Sequence, residues 1–526
     1  MMPTDFPGTI AEEPDPADDW ANPETAEEVC DAHPTKSFLA HAFVYGLGGL
    51  IIQAASIVLL PLYTHHLEPA DYGILEILNR VGEVLSICLM AGGIRLAALT
   101  FYNQAKSDVE RDKTVTSVTF MVVLLLIAGG IATIAFPRQI GAAIGIEDTR
   151  LVVFGMFAML LDITIAVPMT LIQARTESLL YSCLAFAMFL FRVIAIIIAV
   201  VVFHWGIWGI LGATALTSSL FGVVLTWREL ARGSIRLDWM RLLAMLRFAA
   251  PFIPTGLFFF AFRSADRFLL QKYAGLEAVG IYALGYRIAS IVGAFTVAPL
   301  QQVWSARMFA ASELPNAASY FGRVFTRILA AYTFAGMGFA IFADEVIRLL
   351  STDEYLGASA VVAPMVLAFF FLYAANLMDA AFYVRHRTSL KPWITGSATA
   401  VAIGLYIWLV PEFGEMGAAY ANLAAFAFLA VATWVISQCV FRVKYERLRL
   451  AGMMLSALGV VFLSQNLPWG HWAIPVKLIL WISWPASMWL TGLVSREEKE
   501  LLLSGFWTVI AEGRKLFRRV MAKART

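Results

Sequence analysis

Gly73-Ile-Leu-Glu-Ile-Leu-Asn-Arg-Val-Gly-Glu83 sets three charges into an otherwise apolar run. Glu76, Arg80 and Glu83 are spaced by four and then three, so an α-helix carries all of them on one face. A charge inside a bilayer-spanning helix costs about 2.5–3.5 kcal/mol on insertion scales, so that face is expected to look into a protein-lined or water-filled space. A shorter copy follows 207 positions later, Gly280-Ile-Tyr-Ala-Leu-Gly-Tyr-Arg287, which repeats the glycine, the Ile and the arginine seven residues after the glycine.

The chain of 526 residues is 60% hydrophobic and 15% charged, with a mean hydropathy of +0.73. That balance excludes a soluble globular protein and fits an all-α polytopic membrane protein. A span needs about 20 mostly apolar residues, and by that measure roughly fourteen spans can be laid out. They fall near 38–63, 74–101, 114–136, 151–172, 178–203, 207–227, 246–270, 278–303, 320–342, 359–383, 392–411, 415–440, 450–467 and 472–494. Cys30, Cys88, Cys183 and Cys439 lack metal-ligand or paired spacing and read as packing residues. The pattern indicates no cofactor, metal or nucleic-acid partner.

Residues 1–36 hold ten acidic residues and one basic residue, Lys36, and read as a disordered acidic cytoplasmic tail. Most of the 39 Lys and Arg fall in the segments that are cytoplasmic when the N-terminus is inside, above all Arg228, Arg232, Arg236, Arg241 and Arg247. The outer turn 64–72 has none, so both termini are expected to be cytoplasmic. Six spans separate the two glycine–arginine copies, and an even number gives both the same orientation. A parallel repeat implies two six-helix lobes related by a pseudo-two-fold axis along the membrane normal. The expected units are 37–232, 233–445, two additional transmembrane helices in 446–495, and a basic amphipathic tail, 496–526. That tail reads equally as an interfacial helix on anionic lipid or as ordinary positive-inside charge.

Besides Arg80, spans carry Arg95, Arg192, Arg263, Arg267 and Arg287. Arginine stays protonated and offers a planar fork of donors, which suits a diphosphate or other polyanion. Arg80, Arg192, Arg263 and Arg287, with Glu76 and Glu83, are the expected substrate-binding set; each arginine could instead be paired within the protein, Arg263 by Asp266. Asp162 and Asp379 have no basic residue within one turn of their own spans. They are therefore the candidates for a coupling proton or sodium ion, unless another helix supplies a partner. No Gly-rich phosphate loop or catalytic constellation occurs, which points away from an enzyme.

Pro61-Leu-Tyr-Thr64, Leu67-Glu-Pro-Ala-Asp-Tyr-Gly73, Phe248-Ala-Ala-Pro-Phe-Ile-Pro254, Ser264-Ala-Asp-Arg-Phe-Leu-Leu270 and Val279 through Ser290 occur in order. Together they resemble the polysaccharide-transport flippases of the multidrug, oligosaccharidyl-lipid and polysaccharide exporter superfamily. The resemblance implies fourteen helices in two lobes. It also implies an undecaprenyl-diphosphate-linked oligosaccharide carried from the inner to the outer leaflet of the inner (plasma) membrane by alternating access. Membrane lipid, a polysaccharide polymerase and a chain-length regulator are the partners of such a role. A cation-coupled drug antiporter of the same superfamily, and a non-transport assembly subunit of an export system, are the alternatives.

Overall fold

The computed structural model describes residues 59–89, 91–466 and 473–490. Both tails and most of the first span lie outside them. The described residues are helical, without a strand. The long helices are α1 (Pro69–Cys88), α2 (Ala91–Asn103), α3 (Asp108–Ala135), α4 (Thr149–Ala174), α5 (Ser178–Ile197) and α6 (Gly206–Ala231) in the first half. The second half has α7 (Phe252–Ser312), α8 (Ala317–Ile341), α9 (Ala358–Met378), α10 (Lys391–Val440), α11 (Arg447–Asn466) and α12 (Ala473–Leu490).

Local chemistry starts these helices where polar residues interrupt the apolar text. Ser107 accepts from the amide of Glu110 at the head of α3, and Asp148 accepts from the amides of Arg150 and Leu151 at the head of α4. Pro69 opens α1, where its missing N–H is not needed. Once started, the helices run on apolar residues that remain exposed on the outer surface, such as Ile131, Val223 and Phe462. Lipid is the solvent that tolerates them. Nine helical stretches among the described residues are long and apolar enough to span a membrane. The 61 residues of α7 would reach about 90 Å as one rod, three times a hydrocarbon core. Gly275, at φ 87°, breaks α7 into two spans, and Gly414, at φ 53°, does the same to α10. Both backbone conformations are ones that glycine adopts without a Cβ penalty.

The repeat is written in the backbone as well as in the glycine–arginine motif. Eight-residue helices follow α3 and α8 at Pro137–Ile144 and Ala343–Leu350, 206 positions apart. Left-handed residues end the turns after α4 and after the helical segment Ala380–Val384, at Thr176 and His386. Gly206 and Gly414 share φ 53° at turns 208 positions apart. The lobes cross where a Cβ on Gly73 would collide with the carbonyl oxygen of Leu276, and one on Gly280 with that of Pro69. These contacts exchange under the 207-residue offset, so the pseudo-two-fold passes between the two glycines.

One expectation needs correction. Cys88, Cys183 and Cys439 are exposed free thiols rather than packing residues. Gly93 is a close-approach site, against the backbone of Ala249. The short linker helix Trp239–Ala249 docks on the first lobe: Asp238 takes the ammonium of Lys113 at 3.1 Å, and Arg241 donates to the carbonyl of Glu110 and to Thr114.

Candidate functional site: a charged cavity between the lobes

A cavity of about 750 Å³ lies between the lobes. From the first lobe α1 contributes Glu76 and Arg80, α4 contributes Asp162 and α5 contributes Arg192. From the second, the two halves of α7 contribute Arg263 and Arg267, then Tyr286 and Arg287. Asp379, just past α9, and Lys391, at the head of α10, complete the charged lining. The expected substrate-binding and coupling residues line this cavity except Glu83, which holds Arg80 from outside the wall; Arg95 lies elsewhere and donates to Thr170 at 3.2 Å.

The arginine of the opening motif is bound on its own helix. Arg80 donates from Nε to Glu76 at 3.0 Å and from Nη1 to Glu83 at 2.8 Å, with Ser264 Oγ of the other lobe at 3.5 Å. Glu76 also lies 3.5 Å from Nε of Arg267, so one carboxylate touches an arginine of each lobe. Arg267 is 2% exposed. Its guanidinium lies 2.7 Å from the fully buried Asp266 and stacks 3.9 Å over the ring of Tyr286. Asp266 further accepts from the hydroxyl of Tyr282 at 2.6 Å and from Asn422 at 3.1 Å, and Tyr406 donates to Asn422 at 3.0 Å. A charge buried this deeply persists because its lone pairs are filled.

The sequence allowed Asp266 to neutralise Arg263. The fold assigns it to Arg267, and Arg263 carries no ion pair among the described residues. Asp162 and Asp379 have the cross-helix partners that no single span could reveal. Arg192 reaches Asp162 at 2.6 Å, with Ser218 donating to the same oxygen, and Lys391 reaches Asp379 at 2.5 Å. All three carboxylates of the wall are thus ion-paired. Six basic side chains nevertheless face three acidic ones, so the lining carries an excess of positive charge. Arg267, named among the span arginines but left out of the substrate-binding set as a residue near a span end, where snorkelling is the ordinary expectation, is a member of the wall, and so is Lys391, which the sequence did not single out.

At one rim the lobes are joined. Thr64 donates to the carbonyl of Leu350 at 2.5 Å, and Tyr355 to that of Leu67 at 3.0 Å. Burial and the neighbouring Tyr72 push the Tyr355 hydroxyl well above the usual phenol range, so it stays a donor. Among the described residues no group of three His, Cys, Asp or Glu could hold a metal.

Comparison with known proteins fits this arrangement. The polysaccharide biosynthesis protein family matches residues 38–309, more than half of the chain. The chain belongs to this family. No curated protein matches it. Among solved structures, one titled lipid II flippase MurJ, inward closed conformation, aligns at TM-score 0.70 and 14% identity, covering 86% of this chain and all of that one. A multidrug resistance MATE transporter of the MOP superfamily, inward-facing, aligns at TM-score 0.62 and 12% identity over 78% of this chain and 99% of its own. At these identities the likeness establishes a shared fold. The protein is therefore a multi-pass membrane member of the polysaccharide biosynthesis family with a transporter fold.

Proposed function

We propose that the protein is a flippase that moves an undecaprenyl-diphosphate-linked oligosaccharide from the inner to the outer leaflet of the inner membrane, for cell-surface polysaccharide synthesis. The observation that carries this reading is the basic excess of the cavity wall, with its guanidinium forks converging from both lobes. A diphosphate accepts such forks bidentately. A cationic drug would meet the wrong sign, and each wall carboxylate is already engaged by an arginine or lysine.

In the orientation given by the basic segments, the rim closed by Thr64–Leu350 and Tyr355–Leu67 is the outer one, and Asp379 and Lys391 lie toward the inner mouth. The diphosphate enters from the inner side, and Arg192, Arg263 and Arg287 supply its first contacts. Its oxygens then compete with Glu76 for Arg80 and Arg267, which loosens the one carboxylate shared between the lobes. The lobes, 37–232 and 233–445, rock about the Gly73–Gly280 crossing, with the linker helix travelling on the first. A coupling proton or sodium ion reaches Asp162 or Asp379 only in a state that parts them from Arg192 and Lys391, which is the differential binding that coupling requires.

The test is translocation of a fluorescent lipid-diphosphate oligosaccharide by purified protein in liposomes. Arg192→Ala and Arg287→Ala are each expected to slow it by about tenfold or more, the weight of one charge-assisted hydrogen bond, at unchanged abundance. Lys at either position restores part of the rate. Unaltered translocation in both alanine variants overturns the assignment.

A further inference from the structure

Behind the cavity wall, the second lobe holds a buried polar cluster that the cycle described above does not use. Asp266, Tyr282 and Tyr406 are fully buried, and Asn422 is 1% exposed. Besides its bonds to Asp266 and Tyr406, Asn422 donates to the Tyr282 hydroxyl at 2.8 Å and to the carbonyl of Ala418 at 3.0 Å. The cluster ties both halves of α7 to both halves of α10, across the breaks at Gly275 and Gly414.

The fold does not demand it. Under the 207-residue offset, Asp266, Arg267, Tyr282, Tyr406 and Asn422 fall on Leu59, Leu60, Leu75, Ala199 and Ala215. Leu60, Leu75 and Ala199 are buried, so the first lobe fills the matching places with apolar side chains. A buried ion pair can be exchanged for well-packed hydrophobic residues with little or no loss of stability. A polar cluster present in one lobe alone therefore points to a task other than holding helices together.

That task is legible in Arg267. Its Nη1 is fully engaged, donating to the two oxygens of Asp266 at 2.8 and 2.7 Å and to the carbonyl of Arg263 at 3.0 Å. The guanidinium lies over the ring of Tyr286, with the ring of Tyr282 5.3 Å away. The opposite edge, formed by Nε and Nη2, makes no hydrogen bond among the described residues, and its Nε is buried. Glu76 Oε1, 3.5 Å from that Nε, is already held by Arg80 at 3.0 Å. Nε and Nη2 are the paired donors that a phosphate accepts side-on. Arg80 differs, since its Nε is taken by Glu76 and its Nη1 by Glu83.

We propose, resting on the flippase reading above, that Asp266, Tyr282, Asn422 and Tyr406 are positioning residues. They hold Arg267 as a preformed fork that seats one phosphate of the diphosphate group against the second lobe. A guanidinium ordered before the ligand arrives loses little further rotamer freedom on binding. Affinity at this place thus depends on fork geometry and not on charge alone.

Calorimetric titration of geranyl diphosphate into the purified full chain tests this, with the melting temperature measured alongside. Arg267→Lys keeps the charge and removes the fork, and should weaken binding by about tenfold or more. Tyr282→Phe takes one hydrogen bond from Asp266 and should weaken binding about fivefold. Added to Arg267→Lys it should have no further effect, because a positioning group acts only through the fork. Asp266→Leu combined with Arg267→Leu reproduces what the first lobe holds at Leu59 and Leu60; it should keep the wild-type melting temperature and bind no better than Arg267→Lys. Three results each overturn the proposal: wild-type affinity in Arg267→Lys, an equal effect of Tyr282→Phe in both backgrounds, or loss of folded protein in the doubly substituted chain. If the wild type binds the probe, those results leave the flippase reading standing. A wild type that does not bind it overturns both.

Discussion

The two copies of the glycine–arginine helix share a backbone and differ in what surrounds the charge. In the first, Arg80 sits between Glu76 and Glu83 on its own face, and the cluster is held before any ligand arrives. In the second, the corresponding positions around Arg287 are Ala283 and Ser290. Both copies keep the crossing, where neither glycine tolerates a Cβ, and the arginine, while the carboxylates lie on one side only. The same contrast recurs between the fourth and fifth helices of each lobe. Asp162–Arg192 joins two helices within their spans and is half exposed to the cavity, whereas Asp379–Lys391 is placed where α9 ends and α10 begins, with the carboxylate 9% exposed. A symmetric scaffold thus holds an asymmetric set of charges, which allows the two lobes to bind one ligand with different strengths in different states.

The crossing gives the largest expected effect. Gly73→Leu and Gly280→Leu should each abolish accumulation of folded protein in the membrane, since a side chain would enter a backbone-to-backbone contact that cannot yield. Immunoblotting with fluorescence size exclusion measures it, and a variant that folds normally at only one of the two sites would break the symmetry. Next comes Asp379→Asn, which leaves a partly buried ammonium unpaired. It should destabilise by about 3 kcal/mol, the low end for a broken buried pair, whereas Asp162→Asn at its more exposed site costs about 0–1 kcal/mol. Thermal unfolding of the purified variants compares them, and equal shifts would remove the distinction between lobes.

Arg80 and Arg287 separate the copies further. Arg287→Ala should lower translocation about tenfold. Arg80→Ala should in addition lower the melting temperature, because it releases two carboxylates from their partner; an unchanged melting temperature would mean that the flanking acids do not matter.

The smallest effect belongs to the linker that docks on the first lobe alone. Hydrogen bonds from the amide of Arg241 and the ammonium of Lys113 hold the Asp238 carboxyl below the usual carboxylate range. A depressed folded pKa contributes stability that is present above the unfolded value, about 4, and is lost as pH falls through the folded one. Hydrogen-exchange protection across Trp239–Ala249 should therefore stay constant near neutrality and fall only in acid. Asp238→Asn, which keeps a capping side chain, should flatten that acid response. A response unchanged in this variant would assign it to another carboxylate, such as Glu110.

The helical fold and the parallel repeat were legible in the text, because hydropathy measures the cost of leaving water and a 207-residue echo needs no coordinates to be seen. So were most charged residues of the cavity wall, though not Lys391: an ionised side chain inside an apolar span favours a polar interior. Pairing was not legible. Asp162 and Asp379 look solitary along the chain, yet Arg192 and Lys391 reach them from neighbouring helices, and Asp266 takes Arg267 rather than Arg263. Helical spacing predicts only which groups share a face of one rod. Which rods meet, and at what depth, is decided by packing, as at Gly73 and Gly280, and only the tertiary structure contains it.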